Sequence, residues 1–134
     1  QRQMCIRDSL NRALYSPEIG FFRNRKEAFC DVITCAAPNK AAAQKYENVS
    51  DRENTEALKS RIQFVLDIAE KNEVKTLILG AYGCGVFGQD AKEVAGIFKE
   101  FLTTTHTSFD TVVFAVPDGK NGNYRRFAEV FKEN

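Results

Sequence analysis

Residues Thr76 to Leu102 read T-L-I-L-G-A-Y-G-C-G-V-F-G-Q-D-A-K-E-V-A-G-I-F-K-E-F-L. Leu77 to Leu79 is a short apolar run with the length of a strand. Gly80, Gly83, Gly85 and Gly88 follow within a single connection. Val94, Ile97, Phe98, Phe101 and Leu102 then recur at helical spacing, and Asp90 with Glu93 reads as a capping box. The stretch is strand, glycine-rich loop, helix. Glycines let backbone N–H groups turn inward and approach a bound group. A concavity of that kind beside a helix N-terminus suits an anion, usually a phosphate.

The motif narrows the choice of ligand only partly. No Lys-Ser/Thr pair follows, so it is not a nucleotide P-loop. Gly83, Gly85 and Gly88 have the G-x-G-x-x-G spacing of a dinucleotide fingerprint, but a strand and a helix are expected upstream, where that fingerprint normally opens the fold. A connection that merely lets a helix pack close to a sheet is the plainer reading. Tyr82, Val86 and Phe87 weigh against it, because three bulky residues in a tight loop need either core or a flat ligand to cover.

Working outward, Cys30 to Ala37 is C-D-V-I-T-C-A-A, and Val32, Ile33 and Thr34 favour a strand that Pro38-Asn39 ends. Small residues at Cys35, Ala36 and Ala37 leave room at the strand end, either for a ligand or for a closely packed helix. Lys40 to Val49 shows no clear periodicity, and Tyr46 is a candidate pocket cover. Ser50 and Glu53 form a second capping-box pattern. Leu58, Ile62, Val65, Leu66, Ile68 and Ala69 make one apolar stripe, read as core, ending at Lys71-Asn72. Thr111 to Val116 reads as a further strand, Pro117-Asp118-Gly119 as a turn, and Asn123 as the cap of a last helix with Phe127, Val130 and Phe131 inward. At the N-terminal end, Gln1 to Leu14 is loosely helical until Ser16-Pro17, Ile19 to Phe22 reads as an edge strand, and Asn24 to Glu27 as a turn. His106, in a Thr/Ser-rich connection, is expected at the surface.

Composition sets outer limits. The chain has 134 residues, 19 basic and 18 acidic, for a net charge of +1, which argues against a nucleic-acid footprint. No apolar run approaches the roughly 20 residues that span a bilayer, so no membrane partner is expected. Cys5, Cys30, Cys35 and Cys84 include no C-x-x-C pair and meet one histidine, so neither a metal site nor a cofactor is expected. They read as reduced thiols of a cytoplasmic protein. The chain does not begin with Met, and Gln1-Arg2-Gln3 reads as the interior of something longer.

The decapeptide Leu79 to Gly88, followed by Asp90 and Glu93-Val94-Ala95, resembles the C-terminal half of the bacterial-type poly(ADP-ribose) glycohydrolases, a group within the macrodomain fold. Val32 to Asn39, Tyr15-Ser16-Pro17 and Phe22-Arg23 are similar to the same family. This resemblance displaces the dinucleotide reading of the glycines. It implies that Gly83, Cys84, Gly85, Val86, Phe87 and Gly88 wrap the diphosphate of ADP-ribose through backbone N–H groups. Phe87 would then cover a ribose or tuck under the loop, and Ala37 and Asn39 would line the site. The family's Gly-Gly-Gly loop and Gln-Glu-Glu motif have no counterpart here. Glycoside hydrolysis needs a placed carboxyl group, and Asp8 and Glu18 stand in the wrong context, so no catalytic residue is assigned.

The expectation is one domain over 1–134, a partial macrodomain-like three-layer αβα fold. Its mainly parallel sheet would use Val32 to Cys35, Leu77 to Leu79 and Val112 to Val116. Helices are expected over Ser50 to Glu70, Ala91 to Leu102 and Tyr124 to Phe131. The functional expectation is binding of ADP-ribose or ADP-ribosylated protein by a chain lacking the catalytic segment, completed by a companion segment or as a homo-oligomer. The alternative is a non-catalytic structural or interaction protein with a degenerate macrodomain fold.

Overall fold

A computed structural model describes residues 11–132. The elements run β1 (Leu14–Arg23), β2 (Lys26–Thr34), α1 (Lys40–Glu47), α2 (Asp51–Lys71), β3 (Thr76–Leu79), α3 (Ala91–Thr104), β4 (Thr111–Phe114) and α4 (Asn123–Lys132). They form a three-layer α/β arrangement with two small sheets, β1–β2 antiparallel and β3–β4 parallel. The helix expected over Gln1 to Leu14 falls largely outside the described residues; from Leu14 onward the chain is strand.

The expected single parallel sheet is therefore corrected. Val32 to Thr34 belongs to β2, and its partner is β1, with Ile33 opposite Tyr15 and Thr34 opposite Leu14. The cause is local. Asn24 and Arg25 both hold positive φ, 50° and 65°, which makes the two-residue turn that matches strand twist. A tight turn closes with little entropy loss, so Lys26 to Thr34 pairs with its immediate neighbour in sequence. The Ser16-Pro17 signal marks a register irregularity between Ser16 and Ile19 in β1.

The parallel pair follows the expected strand–helix–strand order. Leu77 lies opposite Val112 and Leu79 opposite Phe114, with α3 as the crossover. Ala115 N–H donates to Leu79 O at 2.7 Å beyond the last paired residues. The core lies between this sheet and α2, α3 and α4. It contains Leu58, Ile62, Leu66 and Ala69 from α2, Val94, Ala95, Ile97 and Phe98 from α3, Leu77 from β3 and Phe127 from α4. Phe114 touches Phe98, Phe127 and Phe131 with ring centroids 5.5, 5.5 and 4.7 Å away. Truncating Phe98 to alanine would cost about 3–5 kcal/mol, because the ring is fully enclosed. No helix among the described residues is long and apolar enough to cross a membrane.

The helix ends refine the capping assignments. Ser50 and Glu53 make the reciprocal box at the start of α2. Asp90 caps α3 by accepting from Glu93 N–H at 2.9 Å, but the Glu93 carboxylate turns to Thr55 Oγ1 at 3.0 Å. Asn123 does not cap α4. It is the first helical residue, and Asn121 Oδ1 accepts its N–H at 3.0 Å. Helix α1 has no counterpart in the sequence reading. It is short and alanine-rich, entered through Asn39, whose Oδ1 accepts from Ala42 N–H at 3.0 Å, and left through Asn48 in the left-handed region. Tyr46 covers no pocket; it is exposed, with Lys45 Nζ 5.3 Å from its ring centre.

His106 is the clearest reversal. It is buried, with Nε2 2.6 Å from Asp67 Oδ1 and Nδ1 2.8 Å from Thr105 Oγ1. A polar linker composition predicts exposure, but one ring nitrogen finds Asp67 in the last turns of α2 and the other finds Thr105 at the end of α3, which makes burial tolerable.

Candidate functional site

The glycine-rich connection between β3 and α3 is folded on itself before anything binds it. Cys84 N–H donates to Ala81 O at 3.1 Å, Gly88 N–H to Gly85 O at 3.0 Å, and Gln89 N–H to Gly83 O at 3.0 Å. Gly83 and Gly88 sit at φ 74° and 76°, the left-handed region that favours glycine. Among the described residues, the N–H groups of Gly83, Gly85, Val86 and Phe87 have no hydrogen-bond acceptor. The loop thus satisfies enough of its own backbone to hold a shape and leaves a set of donors unused.

The segment before α1 lies against this loop. A Cβ at Gly83 would come 2.8 Å from Ala37 Cβ and 2.9 Å from Gln89 Cγ. Phe87 O accepts from Ala41 N–H at 3.0 Å, and Gln89 Nε2 donates to Pro38 O at 2.8 Å. Ala37 is buried, and Asn39 is half-buried at the α1 cap. Gly85 is different from Gly83: nothing lies within 4 Å of an added Cβ there. Val86 is almost fully exposed and Phe87 half-buried.

The electrostatic setting comes from the start of α3, Arg61, Tyr82 and Cys84. The N-terminus of α3 carries its partial positive charge to the end of the loop, offset by the Asp90 carboxylate at the cap. Arg61 of α2 is buried behind the strand end, with Nη1 donating to Ala36 O at 2.5 Å and Nε to Asn11 Oδ1 at 2.9 Å. No carboxylate pairs with it among the described residues. Tyr82 lies in the same neighbourhood, its hydroxyl 3.5 Å from Cys35 Sγ. Burial, aided by that thiol, drives its ionisation well above the usual phenol range, so it is a neutral donor. Burial, with a smaller contribution from the Asp90 charge, pushes the Cys84 thiol up to about 11. A thiol so held is almost wholly protonated near neutral pH, and so a poor nucleophile.

Neither acid weighed from the sequence is placed beside the loop by the described residues. Glu18 is exposed in the β1–β2 hairpin at φ 54°, its N–H donating to Asp31 Oδ1 at 2.9 Å. Asp8 lies outside the described residues.

Three solved structures share this arrangement. The poly(ADP-ribose) glycohydrolase of Deinococcus radiodurans in complex with ADP-ribose is 30% identical, with a TM-score of 0.82, over 88% of this chain and 51% of that one. The apo form from the same organism is 33% identical, with a TM-score of 0.78, over 86% and 52%. The enzyme of Thermomonospora curvata is 31% identical, with a TM-score of 0.77, over 87% and 46%. The chain is homologous in structure to part of these poly(ADP-ribose) glycohydrolases. It spans about half the length of these family members, 51% of the first. No family model and no curated protein matches the sequence.

The residues read from sequence as ligand-binding fall into two adjoining segments, Ala37 with Asn39 and Gly83 to Gly88. Sequence reasoning passed over Arg61, Asn54 and Gln89, which hold those segments from behind. The available signal was position: Asn54 and Arg61 fall on the buried side of α2 and Gln89 just before the α3 cap, where apolar residues are the rule.

Proposed function

We propose that this chain binds ADP-ribose as part of a macrodomain-like poly(ADP-ribose) glycohydrolase, with the diphosphate held at the loop Gly83 to Gly88 by the unused backbone donors of Gly83, Gly85, Val86 and Phe87. The observation that carries the reading is the set of unused N–H groups on a pre-folded glycine loop ahead of α3. Two negative centres close together suit several converging charge-assisted N–H bonds better than any single cation. Ala37 leaves space for close approach, Asn39 offers an amide edge at the neighbouring helix start, and Phe87 supplies a ring to cover a ribose. The buried Arg61 adds a positive field from behind Ala36. Relatives crystallised in complex with ADP-ribose give the reading its ligand.

In this proposal the bond cleaved is the glycosidic linkage of ADP-ribose on a polymer or a modified protein. A carboxylic acid protonates the departing oxygen while water attacks an oxocarbenium-like centre. That acid would come from a companion segment, the part of the fold that the relatives have and this chain does not match. Support for a companion lies in the apolar surface on offer. Ile78 and Val113 face one another in register on the uncovered side of β3–β4, both exposed, and Leu14, Phe21, Phe22 and Phe29 are exposed on the hairpin. Domain 1–134 would then be one side of a larger unit, completed in the same polypeptide or by a second copy. The free thiols of Cys30, Cys35 and Cys84 fit a cytoplasmic setting.

Thermal denaturation in the presence of ADP-ribose tests the binding step. A rise in Tm with ADP-ribose that AMP at equal concentration does not reproduce is expected, since AMP lacks the diphosphate. No shift with millimolar ADP-ribose would favour a structural protein that has lost the ligand.

A further inference from the structure

Asn54 and Gln89 are almost completely buried polar side chains that the binding chemistry does not use, at 1% and 4% exposure. They face each other amide to amide: Asn54 Nδ2 donates to Gln89 Oε1, and Gln89 Nε2 to Asn54 Oδ1, both at 2.9 Å. The second Gln89 hydrogen reaches Pro38 O at 2.8 Å. The Gln89 backbone N–H closes the loop on Gly83 O at 3.0 Å. One residue therefore ties together the start of α2, the segment before α1 and both ends of the glycine loop. Such a network is satisfied at every amide position only in one arrangement, so it selects that arrangement as well as stabilising it.

We propose that Asn54 and Gln89 are positioning residues for the candidate site, fixing Gly83 to Gly88 against Ala37 to Asn39 in the donor-presenting shape before ligand arrives. The ligand part of this inference rests on the ADP-ribose reading; the loop part does not. Neither side chain touches the ligand. Each acts by keeping the loop out of alternative conformations, and affinity falls by the fraction of molecules in which the loop has left its place.

The test uses the full chain and three variants: Gln89→Met, Asn54→Leu and the double variant. Each single variant leaves one buried amide unmet, so each lowers the Tm. The double variant removes both members of the pair; Pro38 O stays without its donor, but replacing both with apolar groups of similar size returns the part of the stability lost to the unmet amide. A purely structural role predicts that loop order and affinity return with it. A positioning role predicts that they do not, because Pro38 O has lost its donor and the loop its tether. Expected in the double variant are amide hydrogen exchange at Gly83 to Gly88 faster by about tenfold or more and ADP-ribose Kd higher by at least about tenfold. Val65→Ala, on a different turn of α2, serves as a control of comparable stability with unchanged loop exchange. Wild-type loop exchange in the double variant would overturn the inference, and so would recovery of affinity together with Tm. Faster loop exchange in a chain whose wild type does not bind ADP-ribose would keep the positioning of the loop and overturn the ADP-ribose reading alone.

Discussion

Gly83 and Ala37 are in contact so close that a methyl group at Gly83 would lie 2.8 Å from the Ala37 Cβ. Contact at that distance fixes how near the glycine loop comes to the strand end. It also explains two sequence features together: the glycine at 83 and the small residue at 37 are complementary halves of one approach. Gly83→Ala should therefore destabilise the chain by about 2–4 kcal/mol, from the clash and from a side chain at positive φ. Chemical denaturation of this variant beside Gly85→Ala checks it. The second substitution enters open space and should leave stability within about 0.5 kcal/mol of wild type.

His106 provides an independent test of the fold. Its ring closes the gap between α2 and the connection after α3, bonding Asp67 and Thr105, with Glu70 Oε1 3.7 Å away and Phe101 edge-on at 5.5 Å. His106→Ala should cost about 1.5–3 kcal/mol, the loss expected for a buried hydrogen bond to a charged group. The site lies about 20 Å from Asn54 along α2, so ADP-ribose affinity should be unchanged in the folded fraction. Urea denaturation read against calorimetry separates the two effects.

The Cys84 thiol should make stability depend on pH in the alkaline range. Cys84 is raised to about 11 from an ordinary 9, so between those values the unfolded chain releases a proton that the folded chain keeps. The folded state binds more protons there, and stability falls as pH rises through that window. The burial-driven rise of Tyr82 adds in the same direction at higher pH. Alkylation at pH 8 should label exposed Cys30 first and Cys84 slowly. Mass spectrometry of peptides after brief treatment with iodoacetamide reads the order directly.

Much of the architecture was written in periodicity. The α2 stripe, the α3 face and the strand at Leu77 to Leu79 follow from spacing alone, because each is long or flanked by strong caps. Two features were hidden for physical reasons. The partner of Val32 to Thr34 depended on a turn at Asn24-Arg25 whose second residue is an uncommon choice for positive φ. The burial of His106 depended on Asp67, 39 positions away in sequence. At the candidate site the glycines were legible as a donor-bearing loop. The Asn54–Gln89 tether was not, since a pair 35 positions apart leaves no periodic trace.

The uncovered face of β3–β4 should make the chain associate. Ile78 and Val113 are paired across the two strands and exposed at 67% and 46%. Sedimentation velocity over a concentration series should show a rise in average mass. The double substitution Ile78→Lys/Val113→Lys should suppress it, because charges on the face oppose burial there. A monomer at every concentration would mean that the face needs no cover.

The central claim is that the loop between β3 and α3 grips ADP-ribose through its backbone, and Gly85 is the place to test it. A Cβ added there meets nothing within 4 Å in the free chain, so the fold should tolerate a valine, yet a branched side chain would stand where the backbone must approach the diphosphate. The measurement is isothermal titration calorimetry of ADP-ribose into wild type and Gly85→Val, each first shown to be folded by its melting curve. The account predicts saturable heat with wild type and at least a hundredfold weaker binding with the variant, or about 2.7 kcal/mol. Equal affinity in a folded Gly85→Val chain would contradict it.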